Sequence, residues 1–366
     1  MPNMLDAQHF RNRQEALREA LAAKRLPALL VTKPENIFYL TGFRGSAGAA
    51  IWSQSDAVLW VDPRYGLQAQ EQACGVDVIT VKGGIFLAVG KWLRQRRHRR
   101  AGFEDEHLTF SGFEKLRGES RGSVPWQPAS GMIEDLRVVK DGLEIEWIRK
   151  ACQLTSEVFD EVVQHLKPGV SEMDLASELE YRMRGRGAGG MAFETIIASG
   201  ARSALPHARP SAKLLRAAEW VIFDLGAMAG GYMADMTRTL FLGTPGRKER
   251  SLYRAVFEAQ RAAIHSLRPG VKAGAVDEAA RGALRARGLE KLFVHSTGHG
   301  VGLEIHERPR LGRTEKKQIP AGSVVTIEPG VYIEGMGGIR IEDTILVTGN
   351  GAEILTSAAT DHWYTS

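Results

Sequence analysis

The sequence predicts a two-domain α/β protein whose carboxy-terminal half is of the α+β type. Three observations predict it. At 366 residues the chain exceeds one ordinary domain and falls short of three. Its first third alternates helical and strand-like patterns. The remainder runs as helices, a hairpin, helices and a second hairpin, an order that suggests a pseudo-twofold duplicated unit without any repeat of sequence identity.

Composition narrows the class. Apolar residues make up 43% and charged residues 25%, the balance of a globular protein rather than a disordered or fibrous one. Two cysteines, Cys74 and Cys152, stand far apart, so neither a disulfide framework nor a thiolate zinc site is expected, and a reducing cytoplasm fits. The amino terminus lacks the basic start and apolar stretch of a secretory signal, and no apolar run approaches a membrane span. Basic residues number 48 against 43 acidic ones, a slight excess spread along the chain. The one dense basic run, Arg94 to Arg100, carries no interleaved aromatics on which bases could stack, and it reads as a solvated helix end rather than a nucleic-acid surface.

The elements follow in order. After an amphipathic start, the apolar runs Ala28 to Thr32 and Ala57 to Val61 read as buried strands. Between them TGFRGSAG, Thr41 to Gly48, is glycine-rich but lacks the Gly-Lys-Ser/Thr ending of a phosphate loop, so it reads as a turn. The character changes near residue 135, giving expected domains of 1–135 and 136–366. A helix is expected from about Leu143 to Leu166, closed by Pro168-Gly169. Ser171 with Asp174 forms a capping box for a second helix reaching about Arg186. Two more are expected at about Lys248 to Leu267 and Ala275 to Arg287.

The chemistry sits on the hairpins. In Val221 to Gly243 a glycine pair, Gly230-Gly231, separates two apolar strands, each interrupted by one aspartate. Asp224 and Asp235 lie symmetrically about a point beside that pair, so a hairpin folded there places them opposite one another. In Val324 to Val347, Glu328 and Glu342 are likewise symmetric about Gly335. Opposed carboxylates in apolar strands repel and are costly to bury unless something positive lies between them. Two such hairpins in one chain point to a metal site. HSTGHGVGLEIHE adds His295, His299 and His306 among glycines that permit close approach, and His207 stands in a polar loop before the first hairpin. Four carboxylates with an imidazole form a hard, oxygen-rich set whose charge matches two divalent cations. Manganese, cobalt or iron(II) suit it, with zinc possible. Paired cations of this kind activate water for attack on a carbonyl-type bond.

In DLGAMAGGYMADMTRT, HSTGHGVGLEIHE, IEPGVY and GIRIED, in that order, the chain resembles the pita-bread metallopeptidase family, which includes methionine aminopeptidase, prolidase, aminopeptidase P and creatinase. YLTGFRGSAG and VDPRYGLQA resemble the creatinase-type domain that precedes the catalytic domain in the proline-specific members. The resemblance implies a creatinase-like N-terminal domain, a pita-bread catalytic domain, and Asp224, Asp235, His299, Glu328 and Glu342 as ligands of two metal ions, manganese foremost. It makes Asp235 and Glu342 the bridging ligands and Glu328 a proton shuttle. It makes His207 and His306 donors to the substrate carbonyl, His295 a substrate-pocket residue, and Arg340 a brace for the acids. Where relatives often carry glycine after the loop histidine, this chain has Ala208.

The implied activity is hydrolysis of the bond before proline at the amino end of short peptides, by a homodimer; the composition and charge pattern above add a cytoplasmic location and no nucleic-acid or membrane partner as expectations. Within the family the loop SGARSALPH favours an Xaa-Pro aminopeptidase of the aminopeptidase P type. The alternative is an Xaa-Pro dipeptidase (prolidase), which needs a cation for the free carboxylate of proline; Arg202 is the residue that would supply it. A non-catalytic peptide-binding scaffold of the same fold is the reading from another class, opposed by the intact ligand set. A phosphate-ester hydrolase lacks the basic cluster it would need.

Overall fold

The computed structural model describes residues 7–96, 98–120, 124–360 and 363–365. Arg97 of the basic run, the first six residues of the amino terminus, and residues 361, 362 and 366 of the tail lie outside them. The chain divides into two compact units, Met1–Arg137 and Val138–Ser366.

The first unit is built on a mixed six-stranded sheet. From one edge to the other its strands are Asp77–Thr80, Ala57–Val61, Ala49–Ser53, Ala28–Val31, Ala101–Phe103 and Trp126–Pro128. The strands at Ala28 and Ala57 occur as the apolar runs predict, because fully buried strands read as continuous apolar segments. Leu30, Ile51, Trp60, Val89 and Leu93 are among the residues of its core.

In the second unit each helix pair covers one hairpin. The Gly142–Val162 helix opens on a capping box, the Asp141 carboxylate accepting from the Glu144 N–H and the Glu144 carboxylate from the Asp141 N–H. Ser171 and Asp174 open the Glu172–Gly185 helix in the same way. Leu154, Val158, Phe159, Leu175 and Leu179 from this pair pack with Val221, Phe223 and Leu240 of the first hairpin. The helices Arg247–Ser266 and Ala273–Arg285 bring Val256, Ala259, Val276 and Leu284 against Val325, Ile327, Ile345 and Val347 of the second. A mixed α/β architecture with two helix-and-hairpin units results. Truncating a fully buried side chain such as Phe223 would cost about 3–5 kcal/mol.

Turn geometry then sets which residues face each other. Gly230 and Gly231 sit at φ 59° and 90°, the left-handed pair that a tight two-residue hairpin turn requires. The resulting register pairs Ala229 with Tyr232 and Leu225 with Met236, so Asp224 faces Thr237. The expected direct opposition of Asp224 and Asp235 is therefore wrong by two residues. The turn is centred on the glycine pair itself, which carries Asp235 across from Gly226; an offset of two keeps both aspartates on one face as diagonal neighbours. In the second hairpin Ile327 pairs with Asp343 and Gly330 with Arg340, one register on both sides of the acids. Glu328 and Glu342 thus lie across from each other.

Candidate metal centre

The two hairpins are joined by threonine hydroxyls. Thr344 donates to the Asp235 carbonyl at 2.7 Å and accepts from the Asp235 N–H at 3.2 Å. Thr237 donates to Glu342 Oε2 at 2.6 Å. Thr239 donates to the Arg340 carbonyl at 2.7 Å and accepts from the Arg340 N–H at 3.0 Å. Residues 235, 237 and 239 alternate along a strand and share a face, so one strand edge draws the acids of both hairpins together.

All nine predicted site residues line one cavity of about 730 Å³. These are His207, Asp224, Asp235, His295, His299, His306, Glu328, Arg340 and Glu342. Asp235, His299 and Glu342 each place a ligand-type atom within 4.8 Å of the others. His299 Nε2 lies 3.4 Å from Glu328 Oε1 and 3.6 Å from Asp235 Oδ2. Arg340 Nη2 donates to Asp224 Oδ2 at 2.5 Å and Arg340 Nε to the Thr237 hydroxyl at 3.0 Å.

Hydrogen bonds fix the tautomers of two histidines. A carbonyl oxygen can only accept, so the 3.0 Å contact of His299 Nδ1 with the Gly300 carbonyl puts the proton on Nδ1. Its Nε2 lone pair therefore faces the carboxylates. Burial pulls the His299 pKa down to about 4, aided by His306, so the ring is neutral at pH 7. In His295, Nδ1 donates to the Ser296 carbonyl at 2.9 Å, leaving Nε2 to accept from the Tyr332 hydroxyl at 2.9 Å. Tyr332 in turn accepts from Arg340 Nη1 at 2.9 Å. Burial and the Arg340 charge hold His295 at about 4 as well.

The acids are under strain of the opposite sign. Burial, then the charges of Glu342, Asp224 and Glu328, push the Asp235 carboxyl well above its usual range. Burial and Glu342 do the same to Glu328. Glu342 rises to about 8 through burial and the charge of Asp224. One arginine does not neutralise three buried carboxylates, the partly buried Glu328 and a lone pair aimed at two of them. Asp224 Oδ1 and Glu342 Oε1 are also buried without a hydrogen-bond partner among the described residues. Divalent cations would satisfy all of these groups at once, and the oxygen-rich donor set with one neutral imidazole fits them.

Several contributors escaped the sequence reading. Tyr332 links Arg340 to His295. Phe193, Ile196, Pro206 and Ile305 give the cavity its apolar wall, and Arg209 and Arg310 line it as cations. Lys140 pairs with Glu307 at 2.7 Å with both side chains buried, fixing the chain beside His306. Arg281, held by Asp277, donates to the carbonyls of Phe293 and His295. Arg202, the expected cation for a substrate carboxylate, is instead committed to Glu172 and to the Arg209 carbonyl, and it is not among the cavity's lining residues. Ala208 does line the cavity.

Fold and site together define a two-unit hydrolase whose acid-rich centre, on a duplicated helix-and-hairpin scaffold, is built for divalent metal ions. The family model for metallopeptidase family M24 matches residues 146–349, and that for the creatinase/prolidase N-terminal domain matches residues 13–139. The chain belongs to metallopeptidase family M24. It is similar to a Xaa-Pro dipeptidase of Pyrococcus furiosus, at 36% identity over 95% of this chain and 98% of the relative. Among solved structures it is similar to a Xaa-Pro dipeptidase from Bacillus anthracis, with TM-score 0.94 and 35% identity over 97% of this chain and 100% of the other. It is also similar to an X-Pro aminopeptidase from Thermotoga maritima, with TM-score 0.88 and 33% identity over 96% and 99%. These likenesses back the dipeptidase alternative better than the expected aminopeptidase P reading, which the short loop motif SGARSALPH alone had favoured. Among the described residues no helix is long and apolar enough to cross a membrane.

Proposed function

We propose that this protein is a Xaa-Pro dipeptidase. The observation that carries the reading is Arg310, an exposed guanidinium on the cavity wall for which no ion pair is seen among the described residues. A dipeptide differs from longer substrates in presenting a free carboxylate directly after the scissile bond, and an arginine fork is suited to receive it. The apolar wall of Phe193 and Ile305 suits a proline ring. The naming of the Pyrococcus furiosus and Bacillus anthracis relatives as dipeptidases supports the same reading.

Asp224, Asp235, His299, Glu328 and Glu342 would hold two divalent ions, with manganese favoured by the hard donor set. When bound, such a pair lowers the pKa of a water and polarises the carbonyl under attack. Asp235 and Glu342, which with His299 bring ligand atoms within 4.8 Å of one another, are the proposed shared ligands. Glu328, whose Oε1 lies 3.4 Å from His299 Nε2 within the acid cluster, would take a proton from the attacking water and return it to the proline nitrogen. His207 and His306 donate to the carbonyl oxygen as charge develops there. Arg340 holds Asp224 by direct contact and, through Tyr332, orients His295. A homodimer, on the family resemblance alone, and a cytoplasmic location, on the cysteine usage, complete the reading.

The test is to incubate manganese-loaded protein with Ala-Pro and with Ala-Pro-Ala and identify products by mass. Free proline from the dipeptide with the tripeptide left intact is the expected result. Cleavage of the tripeptide alone would restore the aminopeptidase reading, and no cleavage of either would favour a scaffold.

A further inference from the structure

Glu172 is a fully buried carboxylate that the proposed chemistry does not use. It stands at the first position of the Glu172–Gly185 helix, where the helix dipole favours a negative charge. Five donors converge on it. Oε1 accepts from the Ser199 N–H and the Ser199 hydroxyl, each at 2.8 Å. Oε2 accepts from Arg202 Nε at 3.0 Å, the Ser211 N–H at 3.1 Å and the Ser211 hydroxyl at 2.7 Å.

These donors come from the two ends of one loop. The chain leaves the Ile196–Ser199 strand at Ser199, makes a turn of 3-10 helix over Gly200–Ala204, passes through His207 and returns at Ser211. Arg202 adds a strut across the loop, its Nη2 donating to the Arg209 carbonyl at 2.6 Å. Lys213 Nζ braces the neck from outside by donating to the Ser199 hydroxyl at 2.7 Å. The His207 imidazole is exposed and makes no hydrogen bond among the described side chains, so its place at the cavity follows from the path of its loop. A carboxylate that ties both ends of a loop together fixes that path.

We propose that Glu172 is a positioning residue for His207. It clasps the neck of the 199–211 loop and so sets where the imidazole meets the substrate carbonyl. The assignment rests on the hydrolytic reading above. It also explains why Arg202 is not a substrate-binding cation: its guanidinium belongs to the clasp.

The experiment is a double-mutant cycle in manganese-loaded, full-length protein with Ala-Pro as substrate. Glu172→Gln keeps the shape of the side chain but presents an amide to donors. We expect kcat to fall about tenfold, with KM and metal content within about twofold of wild type. In a His207→Ala background the same substitution should cost less than about twofold, because the residue through which it acts is already gone. Ser211→Ala removes one strand of the clasp and should lower kcat in the same direction by a smaller factor. Equal losses in both backgrounds, or an unchanged kcat with only a lower Tm, would overturn the assignment. Hydrogen exchange supplies a readout independent of turnover: exchange over 199–211 should accelerate in Glu172→Gln while 219–242 is unchanged. Unaltered loop exchange contradicts the clasp, whereas an inactive wild type with an accelerated loop in the variant contradicts only the hydrolytic reading.

Discussion

Thr237 donates its hydroxyl to Glu342 Oε2 at 2.6 Å while accepting from Arg340 Nε at 3.0 Å. One buried hydroxyl thus joins an acid of the second hairpin to the arginine that holds Asp224 of the first. Geometry of this kind makes two separately folded ribbons into a single site.

Replacing that hydroxyl is therefore informative. Thr237→Val is close to isosteric and leaves both partners buried with one bond fewer, a loss of about 1–3 kcal/mol. Thermal unfolding should show Tm lowered by several degrees, and manganese titration should show weaker binding because Glu342 loses the contact that orients it. An unchanged metal affinity would mean that Glu342 is oriented without Thr237.

Removing the metal should make stability depend on pH in a defined direction. Asp235, Glu328 and Glu342 all have folded-state pKa values raised above their ordinary 3.8 and 4.5, with Glu342 at about 8. In metal-free protein the folded state then binds protons more tightly than the unfolded chain. The stability this contributes is complete below about pH 4 and is lost as pH rises through the folded values. His295 and His299, held near 4 in the folded state, oppose this at acid pH, so the acids' effect is isolated above the ordinary histidine range: chelated protein should lose stability from pH 7 to pH 8, by on the order of a few kcal/mol. Asp235→Asn should flatten that dependence and raise the Tm of the metal-free form at pH 8 while abolishing hydrolysis. A chelated protein equally stable at pH 7 and pH 8 would show that the acids are not forced together.

Arg310 offers a test of substrate choice. Arg310→Gln removes the cation but keeps much of the side-chain reach. KM for a Xaa-Pro dipeptide should rise about tenfold, the lower end for a charge-assisted hydrogen bond at an exposed site, with kcat little changed. The same substitution should leave a Xaa-Pro amide, which has no carboxylate, almost unaffected. Equal losses on both substrates would remove Arg310 from carboxylate recognition.

How far the sequence reveals this site depends on the range of each interaction. The pairing of Glu328 with Glu342 was legible because a single register runs through the hairpin, with Ile327 facing Asp343 on one side and Gly330 facing Arg340 on the other. Asp224 faces Thr237 and not Asp235, because the turn geometry of Gly230 and Gly231 sets the register and the symmetry of the two acids in the sequence does not. Helix starts were legible where a capping box marks them, at Ser171 and Asp174. The Tyr332–His295 contact, the Glu172 cluster and the Lys140–Glu307 pair left no such mark, since their partners lie far away in the chain. Thr237 and Thr239 did leave a trace. Hydroxyls at alternate positions of a buried strand must be satisfied by something, and here that something is the second hairpin.

The central claim is that the two hairpins, with His299 from the adjoining Gly298–Gly300 strand, present Asp224, Asp235, His299, Glu328 and Glu342 to a pair of cations. Crystals grown with manganese and measured at its absorption edge test it directly. The account predicts two anomalous peaks about 3.5–4 Å apart, with Asp235 and Glu342 each touching both. A single peak, or peaks away from these five side chains, would contradict it.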